Sequence, residues 1–366
     1  MRANPFETSE GTQFIMTRRK AHITGGVDTH KDTHHAAALD AAGRVLQDQS
    51  FPATADGYCR LLTWLRSFGR LGQVGVEGTG SYGAGLARYL TRQNVEVIEV
   101  DRPDRKTRRS KGKSDPIDAI AAAQAVLSGR AAGIPKTRTG PVEAIRVLRV
   151  ARASAVKSRT AALNQLHGLV TTAPEPLRER LRKVRGARLL HACNQLTVDD
   201  AELADPAAAT IVAIQILADR IRYLTDEITL ADQRMTALVP QIAPHTMALV
   251  GVGPDSAAQL MITAGDNPER LRSEAAFAHL TAAAPLPASS GRTDRHRLNR
   301  GGDRAANKAL YTIVLTRLRH DQRTRDYVQR RTKEGLTKKE IMRCLKRYVV
   351  REIHSTLLAD FASLPA

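Results

Sequence analysis

The chain has 366 residues, of which 42% are hydrophobic but only 4% aromatic, and carries a formal charge of +19. A surface this basic favours polyanions, nucleic acid first, and the length allows two or three domains. No apolar run reaches the roughly eighteen residues that a membrane span needs, no secretory apolar region precedes Lys20, and Cys59, Cys193 and Cys344 make neither a disulfide framework nor a CxxC metal site.

Residues 1–22 are polar and unpatterned and end in a basic run; they read as a disordered leader, with Met16 as a second candidate start. A short apolar run from Ile23 then reads as a strand that delivers Asp28 to its C-terminal edge. His34 to Asp40 is its expected hairpin partner, and a turn at Ala42-Gly43 leads to a third strand, Arg44 to Phe51. His30, His34 and His35 lack companions at ligand spacing, so a solvated strand end is the simpler reading. Asp56 is placed to cap a helix, Gly57 to Phe68, with Leu61, Leu62, Trp64 and Leu65 on one side. A second apolar run, Val74 to Glu77, stops at the turn Gly78-Thr79-Gly80. A helix from Tyr82 to Gln93 and a strand from Val95 to Val100 follow.

Seven of the twelve residues from Arg102 to Lys113 are basic. Arg105, Lys106, Arg108, Arg109, Lys111 and Lys113 are therefore expected to contact a nucleic-acid backbone. Next comes Ser114-Asp115-Pro116-Ile117-Asp118, which has the form of a helix start. Asp115 is the expected N-cap, Pro116 the first helical residue and Asp118 the third. Residues three apart on a helix share a face, so both carboxylates can point one way.

Three strands, helix, strand, helix, strand, helix is the element order of the ribonuclease-H-like mixed α/β fold, in which the first and fourth strands adjoin. That order gathers Asp28, Glu77, Asp115 and Asp118 at element ends. Singly, each is an ordinary turn or cap residue; jointly they would repel one another unless a cation neutralised them. Hard divalent ions such as Mg²⁺ take all-oxygen sites of this kind, and two such ions are the usual device for in-line displacement at a phosphate.

From Pro141 the texture becomes helical. Arg146, Arg149 and Arg152 recur every third residue as a basic stripe, and Ala173-Pro174-Glu175-Pro176 breaks the helix. Ile214, Leu217, Ile221, Leu224, Ile228, Ala231, Met235 and Leu238 then alternate at spacings of three and four. This apolar seam fits either an intramolecular helical hairpin or a dimerising coiled coil. After Pro240 and Pro244, the stretch Met247 to Leu260 has the form of a helix-hairpin-helix, whose Gly251 and Gly253 would let backbone amides approach a DNA phosphate.

A polar loop follows, from Pro285 to Arg304. Around Ser289-Ser290-Gly291 it holds Arg292, Arg295, His296, Arg297, Arg300 and Arg304, all within fourteen residues of Ser290. A serine is a poor nucleophile unless charge stabilisation or a base assists it, and arginines can grip a phosphate and stabilise its transition state. One long helix is expected from about Arg304 to Arg331. A last helix opens with the capping box Thr337-Lys338-Lys339-Glu340 and runs towards Leu358.

Taken together, Val27-Asp28-Thr29-His30-Lys31, Glu77-Gly78-Thr79-Gly80-Ser81-Tyr82 and Lys113 to Ala119 resemble insertion-sequence transposases of the one-ten family, the DEDD recombinases associated with bridge RNAs. The C-terminal residues Leu249-Val250-Gly251-Val252-Gly253-Pro254, Ser290-Gly291 and the Gly301-Gly302 turn extend the resemblance, which covers nearly all of the chain from Ile23.

The resemblance implies a RuvC-like DEDD domain over 23–140, a helical coiled-coil or dimerisation segment over 141–242 and a C-terminal transposase domain over 243–366. Asp28, Glu77, Asp115 and Asp118 would bind Mg²⁺, and Ser290, with Ser289 as its neighbour, would form a covalent link to DNA. Further implied are a structured bridge RNA as guide, double-stranded DNA at element ends and target, a homodimer that assembles to a tetramer, and a bacterial cytoplasmic location at the nucleoid. The long gap between Asp118 and Ser290 motivates a site shared between protomers. Asp101-Arg102-Pro103 and Asn299 depart from the family's pattern without touching the acids. Two other readings fit the residues less fully: a hydrolytic junction resolvase with the same acids, and a non-catalytic nucleic-acid binder. Arg292, Arg295, Arg297 and Arg300 would hold nucleic acid in any of the three.

Overall fold

A computed structural model describes residues 21–100, 114–292 and 295–364. The expected leader lies outside these residues save its last two, and all six nucleic-acid contacts proposed between Arg105 and Lys113 lie outside them. The chain divides into two compact units, one ending at Lys136 and the other beginning at Thr137.

The first unit is a mixed five-stranded sheet. Strands β1 (His22–Thr29), β2 (Thr33–Asp40), β3 (Val45–Pro52), β4 (Arg70–Glu77) and β5 (Glu96–Val100) lie in the order β3-β2-β1-β4-β5. The first two junctions are antiparallel; β1–β4 and β4–β5 are parallel. First and fourth strands adjoin as expected, and the topology is consistent with a ribonuclease-H-like DEDD fold.

Alternation along each strand sorts side chains to two faces. Ile23, Val27, Val74, Val76 and Val97 pack with Leu61, Leu65, Leu86 and Leu90 from α1 (Ala55–Ser67) and α2 (Ala84–Arg92). On the other face, Ala37 and Leu39 meet Ala119 and Ala123 of α3 (Asp115–Leu127), while Ile98 and Val100 meet Ala122 and Val126. The cap of α1 is Thr54, whose side chain accepts from the Gly57 N–H. Asp56, expected in that role, instead lies in the first turn and pairs with Arg60 at 2.9 Å. Thr54 prevails because it sits three residues before the bonded amide, where a hydroxyl reaches it.

Small residues bring α3 unusually close to the sheet. A Cβ on Gly26 would lie 2.2 Å from the Ala119 carbonyl oxygen and 2.3 Å from the Ala123 nitrogen, and one on Gly75 would lie 2.9 Å from the Ala122 carbonyl oxygen. Neither position has room for a side chain, so glycine on adjacent strands sets the depth at which the helix docks.

The second unit is helical. α4 (Pro141–Thr172) and α7 (Pro206–Ile242) run antiparallel, with α5 (Glu175–Leu181) and α6 (Ala187–Asn194) closing one end. Ile214, Ala218 and Ile221 pack there with Ala162, Leu166 and Val170, and Leu224 and Ile228 meet Ala155 further along. The heptad-like seam is thus filled within the chain as a helical hairpin. At its other end Val142, Ile145, Met235 and Val239 join the core of the C-terminal helices.

Those are α8 (Pro244–Met247), α9 (Pro254–Ala264), α10 (Glu274–Leu280), α11 (Arg304–His320), α12 (Gln322–Lys333) and α13 (Lys338–Ala362). The single helix expected from Arg304 to Arg331 is broken at Asp321, which leaves helical geometry and accepts from the Thr324 N–H to start a new helix. The capping box at Thr337 and Glu340 forms as expected.

Candidate active site

Asp28 and Glu77 have the same parity on their strands as Gly26 and Gly75, so both carboxylates project towards α3. Val27 is opposite Val76 in the parallel register, which makes Asp28 and Glu77 neighbours at the adjoining strand ends. The Thr29 hydroxyl donates to the Glu77 carbonyl at 2.8 Å and ties those ends together. Close docking of α3 then presents its first turn to the same edge. Its N-cap is Ser114, not Asp115, and Asp115 is the first helical residue. Serine and aspartate are near-equal cap formers, and with Pro116 fixed in the second position, Ser114 is the one left in extended geometry. Asp118 stays in the first turn, buried against the sheet.

The tightest group of potential ligand atoms among the described residues is Asp28, His30 and Asp115, all within 4.8 Å of one another. His30 Nε2 lies 3.2 Å from Asp28 Oδ2 and 3.2 Å from Asp115 Oδ1. Asp118 and Glu77 are buried nearby but stand outside this closest group. His30 therefore joins the candidate site, although its sequence neighbourhood suggests a solvated strand end. The available signal is its spacing: two residues beyond Asp28, it continues that strand's α3-facing side.

Burial pushes the Asp28 carboxyl above the ordinary carboxylate range; His30 draws it down, and Asp118 and Asp115 push it up again. Its Oδ2 is buried with no hydrogen-bond partner, since the nearby His30 nitrogen is not aligned to donate to it. A buried, orphaned carboxylate oxygen beside two further acids is what a bound cation would satisfy. The donors present fit a divalent metal.

His34 and His35 are accounted for without one. His34 is buried and stacked on Tyr58 at 5.5 Å, and His35 lies 2.7 Å from Asp48.

Comparison with known families adds a decisive observation. A family model described as a transposase, the IS110 DEDD transposase, matches residues 25–173, and a second, described as the transposase of the IS116/IS110/IS902 family, matches residues 244–329. The chain belongs to the IS110 family of transposases. No curated protein matches it. An IS110 transposase is an enzyme that cuts and rejoins DNA, and DNA is its partner. Among its described residues, no helix is long and apolar enough to cross a membrane.

In this transposase Ser289 and Ser290 are exposed on a loop framed by the two-residue strands β6 (Leu286–Pro287) and β7 (His296–Arg297), which pair antiparallel. Both ends of the loop are fastened to α10. The Ala283 and Ala284 amides donate to the Ala278 carbonyl at 2.8 and 2.9 Å, and the Asp303 amide donates to the Leu280 carbonyl at 2.7 Å. Arg292, Arg295, Arg297 and Arg300 are exposed along it. Asn299 is buried and accepts from the Gly301 amide at 2.9 Å, which shapes the glycine turn.

Two further features of the transposase make contacts within the chain. The Arg146, Arg149 and Arg152 stripe is neutralised by the chain's own acids: Arg146 pairs with Glu143 at 2.6 Å, Arg149 with Asp255, and Arg152 with Asp232 at 2.5 Å. In the turn between α8 and α9, Gly251 (φ 81°) sits against α11, where an added Cβ would lie 3.0 Å from the Ile313 carbonyl oxygen. Arg317 donates to the Val250 carbonyl at 2.8 Å. Gly251 thus packs against α11, whereas Gly253 has open space around it.

Proposed function

We propose that this transposase exchanges DNA strands through a covalent serine–DNA intermediate, with divalent metal held at the DEDD acids and a bridge RNA selecting the DNA. The observation that carries the reading is the meeting of Asp28, His30 and Asp115 around an orphaned carboxylate oxygen. Asp28 and Asp115, with Asp118 and Glu77 behind them, are the proposed Mg²⁺ ligands. A divalent ion there would polarise a phosphate oxygen and offset developing negative charge.

Ser290 supplies the nucleophile in this proposal. Its Oγ forms a bond to phosphorus as the bond from phosphorus to one DNA oxygen breaks; the serine proton leaves, and the departing oxygen gains one. Attack by an incoming DNA hydroxyl reverses the bond changes and frees the serine, so phosphodiester bonds are conserved without water as a reactant. Exposure of Ser290 among Arg292, Arg295 and Arg297 supports this role, because a cationic surround stabilises the charge that accumulates at phosphorus. A charge of +19 supports extensive contact with DNA and RNA backbones.

Assembly into dimers and tetramers belongs to the same proposal. The outer side of α7 leaves Ile216, Tyr223 and Leu230 exposed at seven-residue spacing, a row on which a second chain could pack.

The test is to incubate Ser290→Ala, Ser289→Ala and the unaltered protein with element-end DNA, Mg²⁺ and RNA transcribed from the flanking segment. Denaturing gels should show a protein–DNA adduct and joined strands for the unaltered protein and for Ser289→Ala, and neither product for Ser290→Ala. Undiminished cutting by Ser290→Ala would instead mark a hydrolytic nuclease.

A further inference from the structure

The second unit contains an open cavity of about 530 Å³ lined by residues 282–285, the β7 side of the Ser290 loop, the end of α12 with the turn after it, and α13. Seven arginine or lysine side chains line it, against one carboxylate, Glu340. Glu340 is already engaged, since it accepts from the Thr337 amide and hydroxyl in the capping box of α13.

Lys346 is the most telling wall residue. It is only 6% exposed, and its Nζ donates to Asn307 Oδ1 at 2.9 Å. The Asn307 amide nitrogen donates in turn to the Thr281 and Ala282 carbonyls, each at 3.0 Å, which fixes the oxygen end towards the lysine. Among the described residues no carboxylate pairs with Lys346. Burial lowers its pKa, and the neighbouring cation Arg343 lowers it further. Buried charges are ordinarily paired, because an unpaired ammonium is costly to remove from water. A buried, uncompensated cation in a cationic cavity calls for an anion from outside.

The cavity is much larger than a phosphate group and lies within the usual range for organic ligands, roughly 300–1,000 Å³. Its rim offers the half-exposed ring of Tyr348, braced edge-on by Tyr327 at 5.5 Å. Ala282 to Ala284 and Leu336 add apolar surface to its wall. Phosphate-binding cations lining one cavity together with apolar surface and an aromatic ring, over which the wall's own Arg351 stands at 5.6 Å, match one nucleotide whose base has left its stack.

We propose that this cavity binds a single unpaired nucleotide of a DNA strand, with its phosphate on Lys346 and its base against Tyr348. The choice of DNA rests on the strand-exchange reading, because the wall that β7 provides belongs to the loop that carries Ser290. The nucleotide site itself does not depend on that reading.

Titration calorimetry on the full chain tests it, using a 5′-phosphorylated thymidine dinucleotide, the uridine ribodinucleotide and inorganic phosphate as probes. Lys346→Gln keeps a donor for Asn307 but removes the charge, and should weaken deoxydinucleotide binding by at least about tenfold, the value of a charge-assisted hydrogen bond. Tyr348→Ala, altered at the rim and away from the core, should weaken the dinucleotide by a similar factor while leaving phosphate binding unchanged. Binding unaffected by both substitutions would overturn the proposal, and so would a loss of melting temperature in Lys346→Gln with no loss of affinity. Phosphate binding as tightly as the dinucleotide would reduce the site to an anion hole, and a preference for the ribodinucleotide would reassign it to RNA. No strand is cut in these measurements, so they decide the nucleotide site even if the serine reading fails.

Discussion

The His30 imidazole stands 3.2 Å from the Asp28 carboxylate, and the same nitrogen is equally close to Asp115. An imidazole among acids alters which metals the site prefers, because nitrogen ligands favour the later divalent ions over Mg²⁺. The unaltered protein should therefore bind Mn²⁺ more tightly than Mg²⁺, and His30→Ala should narrow that ratio by about tenfold. Metal-dependent melting shifts measure both, and a ratio unchanged in His30→Ala would place His30 outside the coordination shell. Asp28→Asn removes a buried charge crowded by Asp115 and Asp118. It should melt higher than the unaltered protein without metal and show no shift when metal is added.

Gly26→Ala tests how the sheet positions the acids. Its Cβ would overlap the Ala119 carbonyl and the Ala123 nitrogen, both backbone atoms that cannot swing aside. Overpacking of this kind costs about 1–3 kcal/mol or more. Here the relief is a lifted α3, which carries Asp115 and Asp118 away from the strand ends. The expected result is a lower melting temperature together with loss of the metal-induced shift. Lost stability with the metal response kept would mean that the helix start does not follow the helix body.

These outcomes bear on how much of the site is legible in the sequence. The strand ends at Asp28 and Glu77 are, because apolar alternation stopping at an acid is a local pattern. The role of His30 is not, since its meeting with Asp115 joins positions 85 residues apart and depends on how deeply two glycines let α3 settle. The cap of α3 shifts by one residue because Ser114 and Asp115 both qualify locally. The break at Asp321 is readable, as an aspartate three residues before a threonine amide, but the surrounding helical pattern masks it. In the arginine stripe Arg146 has a local partner, Glu143, but Arg149 and Arg152 pair with the distant Asp255 and Asp232, so those two ion pairs are not visible in the sequence.

Arg149→Ala tests whether these ion pairs are structural. Its guanidinium binds Asp255 and donates to Gln259 at 2.9 Å, so its removal should lower the melting temperature of the second unit. The slope of log affinity for DNA against log salt should stay the same. Loss of a residue in contact with phosphate would instead reduce that slope by about 0.9.

Asp266 predicts a pH dependence of stability. Burial alone would raise its pKa, but the Thr137 hydroxyl, at 2.5 Å, and the Gly140 and Arg138 amides hold the net value below the ordinary one. A group whose folded pKa is depressed contributes in full above its unfolded value, near 3.9, and loses that contribution as pH falls through the folded value. Asp266→Asn should cost about 1–3 kcal/mol at pH 7, the range for charged hydrogen bonds. Denaturant titrations should show the gap between the two proteins closing below about pH 4. A gap that stays constant down to about pH 3 would mean that the carboxylate charge contributes nothing.

The anchoring of the Ser290 loop has its own consequence. Both of its legs are pinned to the last residues of one short helix, α10, so the span between them is the same whatever side chains occupy the tip. Substitutions at the exposed tip should therefore leave the helices beneath it in place, so what the tip presents to solvent and how firmly the domain folds can be altered separately.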